Sequence, residues 1–247
     1  MKYAFLLLSF LTLASVATAD TTLISNINGY TLNSDRQLLR FSALQFTDDS
    51  IDRTFTATDT LPDGADQTID GAGQTLITGL IDAHGHILNY GRFLLQVDLV
   101  GSTTEQEAAQ RVAAFEAANG ELEWVQGRGW NQVLWDSNSF PTAAILDAVV
   151  SHKPVWLRRI DGHAGWANTA AMELAGVTRD SQDPTGGQIM RDANGDATGV
   201  FIDTAMGYIS SQLPSATIEE QKIALHTSMS RLAEFGLTSV HDAGASS

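Results

Sequence analysis

A chain of 247 residues, 43% hydrophobic and only 17% charged, carries enough apolar material for one or two globular domains and is not a disordered polypeptide. Its 29 acidic against 14 basic residues, a net charge of −15, exclude nucleic acid and anionic membrane surfaces as partners, since both require a basic footprint. Without cysteine there is no disulfide framework and no thiolate metal site, so any bound metal must use His, carboxylate or a modified Lys.

Taken in order, the chain opens with Lys2 and the charge-free run Ala4–Ala14, which is too short to cross a bilayer comfortably. Ala17-Thr18-Ala19 supplies a small-residue cleavage pattern, and no basic flank follows that would favour an uncleaved anchor. The pattern predicts a signal peptide over 1–19, an exported protein (periplasmic or extracellular) beginning at Asp20, and no stable membrane insertion after cleavage. From 20 to 78 short alternating runs, such as Leu38–Phe46 and Arg53–Thr58, are broken by turn signals at Asn28-Gly29, Pro62-Asp63-Gly64 and Asp70–Gly73. They predict a β-rich segment too small to be stable alone.

An apolar run, Leu76–Ala83, then ends in His84-Gly85-His86, and it reads as a buried strand. Side chains two apart on a strand share a face, so the two imidazoles stand about 6.5 Å apart at their Cα atoms, within reach of one ion at Zn–N distances of about 2.0–2.1 Å. Parallel α/β folds gather their chemistry at such strand ends.

Beyond the histidines, strand and helix alternate. Leu94–Val100 reads as a strand, Ser102-Thr103-Thr104-Glu105 as a capping box for a helix ending near Asn119-Gly120, and Pro141 as the start of a helix over Thr142–Ser151. Val155–Ile160 is a strand, and Gly187–Arg191 with Thr198–Phe201 forms a hairpin about Asn194-Gly195. A long amphipathic helix over Ile218–Phe235 stops at Gly236, and Leu237–Val240 gives one more buried strand.

Four stretches carry a family resemblance. Gly79–His86 resembles the first barrel strand of the amidohydrolase superfamily. Arg158–Asn168, the Asp183–Ile189 and Ala197–Val200 hairpin arms, and Gly236–Asp242 resemble motifs of its amidohydrolase-3 branch, which includes N-substituted formamide deformylase-like proteins. The resemblance implies a partial (β/α)8 TIM-type barrel of the metal-dependent hydrolase kind from 79 to 247. It also implies a flanking N-terminal β-sandwich segment over 20–78, part of a composite domain, and a large α/β insertion over about 88–213 after barrel strand one. Thr78 stands where that family typically has a proline. His84 and His86 are then metal ligands for one or two Zn²⁺, or another divalent ion, and Asp82 either orients an imidazole or makes a strand-end hydrogen bond. The implied activity is hydrolysis of an amide, formamide or cyclic amide C–N bond in a small molecule by metal-activated water.

Among the remaining residues, His163 beside Asp161 and Arg159 suits a substrate-facing donor or proton carrier, with a structural histidine fixed by Asp161 as the competing reading. Trp166 and Asn168, with Arg159 and Asp161, are expected to line a substrate pocket. Trp130 and Trp135 are read as core aromatics in preference to pocket walls. His241-Asp242 cannot converge on one ligand, since neighbours on a strand face opposite ways, so a buried or loop-capping role is expected. No lysine ends a candidate barrel strand, and the family's later ligands are not in the chain. The expectation is therefore about the N-terminal half of such an enzyme, the alternative being a non-catalytic remnant of one.

Overall fold

The computed structural model describes residues 20–244 and divides at Gly79/Leu80 into two units. The first is all β. Strands β1 (Thr21–Ser25), β4 (Ala43–Thr47), β5 (Ser50–Phe55) and β6 (Gln67–Asp70) form a sheet in the order β5-β4-β1-β6, and β2 (Asn28–Leu32), β3 (Leu38–Phe41) and β7 (Thr75–Ile77) form another in the order β3-β2-β7. Leu23, Ala43 and Phe55 make its small buried core. Two expectations change here. Leu38–Phe46 is two strands in different sheets, because Ser42 leaves the first ladder and donates from N and Oγ to the Phe55 carbonyl. Asn28-Gly29 opens β2, and the turn lies earlier at Asn26, whose φ is +54°.

In the second unit the histidine-bearing strand β8 (Leu80–Gly85) pairs in parallel with the last strand, β15 (Leu237–Asp242). Between them in sequence lies a separate six-stranded mixed sheet of order β13-β14-β12-β11-β10-β9. Its strands are β9 (Val97–Asp98), β10 (Val125–Trp130), β11 (Val155–Arg159), β12 (Ala164–Ala167), β13 (Gly187–Arg191) and β14 (Ala197–Asp203). The described residues thus hold a mixed α/β fold with no closed barrel. The expectation of buried strands at both ends is also corrected. Leu80 and Ile81 are 50% and 65% exposed, because a two-stranded sheet covers one edge of each strand and little of its faces.

Helix α1 (Ile87–Leu94) begins directly after the histidines, and β9 is correspondingly shorter than the strand expected over Leu94–Val100. Helix α2 (Glu105–Ala118) is capped by Thr104, whose side chain accepts from Glu107 N, two residues past the expected cap. The Thr103 amide and hydroxyl and Arg111 hold the Glu107 carboxyl down at about 2. Helices α3 (Ala143–Asp147), α4 (Thr169–Leu174) and α5 (Gly207–Ser210) are short, α3 ending well before Ser151. Helix α6 (Ile218–Glu234) has a full capping box at Thr217/Glu220 and is stopped by Gly236 at φ +78°. It packs on α1 at Gly91, where a Cβ would stand 1.8 Å from the Ala224 carbonyl oxygen. Only glycine permits that approach. The sheet buries one face against α2 and α3 (Val97, Leu99, Val112, Val125, Leu146, Leu157, Trp166) and the other against α4 and α5 (Trp156, Ile189, Phe201, Ile209). No helix of the described residues is long and apolar enough to cross a membrane.

Candidate metal centre and adjoining cavity

Strand β8 ends at Gly85, so His84 is its penultimate residue while His86 is the N-cap of α1, at φ −133° and ψ 67°. The local sequence explains the bend. Gly85 faces Val240 of β15 so closely that a Cβ would lie 2.4 Å from Val240 Cγ1, and any other residue would push the pair apart. Asp82 Oδ1 accepts from the His84 amide at 2.9 Å, which makes it a strand-end hydrogen-bond acceptor. Asp242 does a similar job from the neighbouring strand. Its Oδ2 accepts from Ile87 N, the first amide of α1, at 3.1 Å, and its Oδ1 accepts from Gly244 N at 2.6 Å. Gly244 in turn lies against His86, its Cβ position 2.6 Å from the ring Nδ1. Asp242 is thus a cap.

The imidazoles of His84 and His86 are exposed, with ring centroids 5.4 Å apart and planes at 87°. An ion at about 2.0–2.1 Å from a ring nitrogen lies about 3.2 Å from that ring's centroid, so centroids at this separation subtend about 115° at a shared ion, close to tetrahedral. The separation of the two rings is compatible with two ligands of one zinc-type ion. Among the described residues no group of three or more His, Cys, Asp or Glu gathers around one point.

Removing the Asp242 carboxylate tests the support of this loop. Asp242→Ala should cost about 1–2 kcal/mol, as the loss of a helix N-cap does, and should weaken zinc binding about tenfold, as loss of a ligand's supporting partner does. Thermal melts and zinc titration check both, and unchanged zinc affinity would remove Asp242 from the site.

The other predicted residues fall into two groups. His163 Nδ1 lies 2.8 Å from Asp203 Oδ1, the Asp203 amide donates to the His163 carbonyl at 3.0 Å, and the His163 amide donates to Asp161 Oδ1 at 3.0 Å. Asp203 sits at φ +46° and ψ −121°, a backbone region costly outside glycine, so the His163 contacts hold a strained residue in place. Arg159 Nη1 pairs with Asp161 at 3.2 Å. Its guanidinium carbon also lies 5.9 Å from the Phe140 ring centroid. Trp166 and Asn168 do not line a pocket. Trp166 is fully buried among Trp130 and Trp135 and donates to the Thr142 carbonyl at 3.0 Å. Asn168 is fully buried, its Oδ1 accepting from Val155 N and Ala171 N and its Nδ2 donating to the Val150 and Lys153 carbonyls.

A cavity of about 820 Å³ adjoins α1, lined among others by Asn89, Arg92, Trp156, Arg158, His163 and Asp203. Sequence reading missed Arg92, Arg158 and Asp203. Alternation along β11 was the available signal for Arg158, which shares its face with Trp156 while Arg159 faces the opposite way. Asp203, 40 residues from His163, is brought beside it by the antiparallel register Ala164↔Ile202 and has no local signal.

The arrangement has the fold of metal-dependent hydrolases. An uncharacterized metal-dependent hydrolase from Pyrococcus horikoshii OT3 superposes on 90% of this chain and 42% of its own with a TM-score of 0.62 at 23% identity. The chain belongs to the amidohydrolase family, whose model matches residues 67–247. It is 35% identical over 172 residues to Protein LONG AFTER FAR-RED 3 of Arabidopsis thaliana, covering 70% of this chain and 29% of that protein. To the putative amidohydrolase YtcJ of Bacillus subtilis (strain 168) it is 32% identical over 169 residues, 68% of this chain and 32% of that one. The chain therefore spans about a third of the length of these two curated relatives.

Proposed function

We propose that this protein is an exported hydrolase that cleaves a non-peptide C–N bond (amide, formamide or cyclic amide) in a small-molecule substrate, using Zn²⁺ or a similar divalent ion, one or two per site, with His84 and His86 as ligands. The observation that carries the reading is the pair of exposed imidazoles 5.4 Å apart at the end of a strand whose parallel neighbour braces their loop. Membership in the amidohydrolase family supports the hydrolase class. In this reading β8 and β15 are the first two strands of a barrel and the sheet from Val97 to Asp203 is the insertion between them.

When bound, the ion supplies an activated water and a Lewis acid at the scissile carbonyl. His84 and His86 would present their ring nitrogens to the ion from a backbone that Asp82 and Asp242 hold through hydrogen bonds of 2.9 and 3.1 Å. Catalytic zinc sites ordinarily use three protein ligands, so the reading requires at least one more besides these two. In the His163–Asp203 pair the Nδ1–H donates to the carboxylate, which leaves Nε2 as an acceptor free to meet a substrate N–H or O–H.

A panel of N-formyl amines, anilides and cyclic amides tests the activity in the full protein. Release of amine from one class, stopped by 1,10-phenanthroline and restored by Zn²⁺, is expected. No hydrolysis of any class by protein carrying stoichiometric metal overturns it. Export is supported by residues 1–19, which lie outside the described residues; mass spectrometry of the mature protein should find Asp20 first, and an intact Met1 on a cytoplasmic product refutes it.

A further inference from the structure

The cavity beside α1 carries an unusual charge for this chain. In a protein of net charge −15, two guanidinium groups, Arg92 and Arg158, share its wall with a single carboxylate, Asp203, already engaged by His163 at 2.8 Å. Among the described residues the arginines that form ion pairs are Arg111, Arg159, Arg179 and Arg231, and neither cavity arginine is one of them. Among the described residues Arg92 Nε is buried without a hydrogen-bond partner, and its Nη1 lies 3.5 Å from Asn89 Oδ1. Arg158 Nη2 lies 3.5 Å from the Cβ position of Gly162, in the turn that presents His163. Phe93 and Trp156 give the wall apolar area, and Asn89, Gln96 and Gln126 give it further polar groups.

The cavity also adjoins the helix that follows the histidines. His86 caps α1 and Arg92 lies six residues on, so the Arg92 Cα is about 9 Å along the axis from that of His86 at 1.5 Å per residue, and about 120° round it. Guanidinium groups bind carboxylates through paired, charge-assisted hydrogen bonds, and an unpaired one facing a walled cavity lacks the partner that would complete it.

We propose that Arg92 and Arg158 form a carboxylate-recognition subsite, and that the substrate is an amide or formamide that also carries a carboxylate. The substrate part rests on the hydrolase reading above; the subsite itself does not. An intervening apolar chain would lie against Phe93 and Trp156.

Isothermal calorimetry with n-alkyl carboxylates from butanoate to octanoate and their matching primary amides tests it without turnover. At one or more chain lengths the carboxylate should bind at least about tenfold more tightly than its amide, the scale of one charge-assisted contact. That preference should persist in His84→Ala/His86→Ala, persist in part in Arg92→Lys/Arg158→Lys, and vanish in Arg92→Gln/Arg158→Gln. The subsite is overturned by no preference at any length, by a preference that disappears with the histidines, by one that survives loss of both arginines, or by its loss in the Lys and Gln variants alike. A preserved preference in a protein that hydrolyses no amide would strike the hydrolase reading alone.

Discussion

Replacing both imidazoles, His84→Ala/His86→Ala, is expected to lower zinc affinity at least about 100-fold, since loss of a single supporting partner already costs 10–100-fold, and to abolish hydrolysis. The fold should survive. Both side chains are exposed and neither makes a side-chain hydrogen bond among the described residues, while the groups that shape the loop, the Asp82 and Asp242 carboxylates and the Gly85–Val240 contact, remain. Elemental analysis together with circular dichroism separates ligand loss from misfolding. Zinc content equal to that of the parent protein would refute the assignment of both residues.

The largest loss of stability is expected at Asn168, far from the histidines. Its amide ties the start of β11, the first turn of α4 and the loop after α3 through four hydrogen bonds of 2.8–3.0 Å, with no exposed surface. Asn168→Ala removes a helix N-cap, worth about 1 kcal/mol, and strands buried donors and acceptors at about 1–3 kcal/mol each, so a loss of about 4 kcal/mol is expected. Asn168→Asp discriminates the mechanism. It keeps Oδ1 for Val155 N and Ala171 N but turns a second oxygen toward the Val150 and Lys153 carbonyls. Burial beside those oxygens raises the folded pKa of the new carboxyl above its unfolded value of about 3.9. The folded state then binds the proton more tightly, so the deficit is present at neutral pH and shrinks as pH falls through the folded pKa. Urea melts at pH 7 and pH 5 check this. No deficit at either pH would show that the two carbonyls do not need the amide donors.

What could be read from the chain follows from how local each signal is. The hairpin about Asn194-Gly195 and helix α6 with Thr217, Glu220 and Gly236 carry their instructions within a few residues, and the structure has them where they were expected. The His-X-His pair was legible for the same reason. Helix α1 was not, since eight residues following a strand end, without a side-chain cap of their own, give no start signal; the cap comes from Asp242, 155 residues away. Exposure of Leu80 and Ile81 was equally hidden, because apolar composition says nothing of how many strands will flank a strand. Adjacent residues are told apart only by the sheet face: Arg158 lines the cavity, and Arg159, on the other face of β11, pairs with Asp161. Asn168 and Trp166 were read as pocket residues from their polarity and aromaticity, whereas the core uses those properties to satisfy backbone groups at the ends of α3 and β11.

In the proposed metal-binding reading, the Asp242 bridge makes ion occupancy and attachment of β15 two halves of a single equilibrium. One oxygen holds the start of α1 and the other holds Gly244 against His86, so an ion bound to His86 acts on the geometry that β15 must adopt to dock. Thermodynamic reciprocity then requires that whatever factor β15 docking adds to metal affinity, metal adds to β15 docking. A chain starved of metal would release Leu237–Asp242 more often and present it to proteases, whereas one saturated at 100 times Kd would hold it more firmly by up to about 2.7 kcal/mol. In that reading metal supply would thereby govern how long the protein lasts.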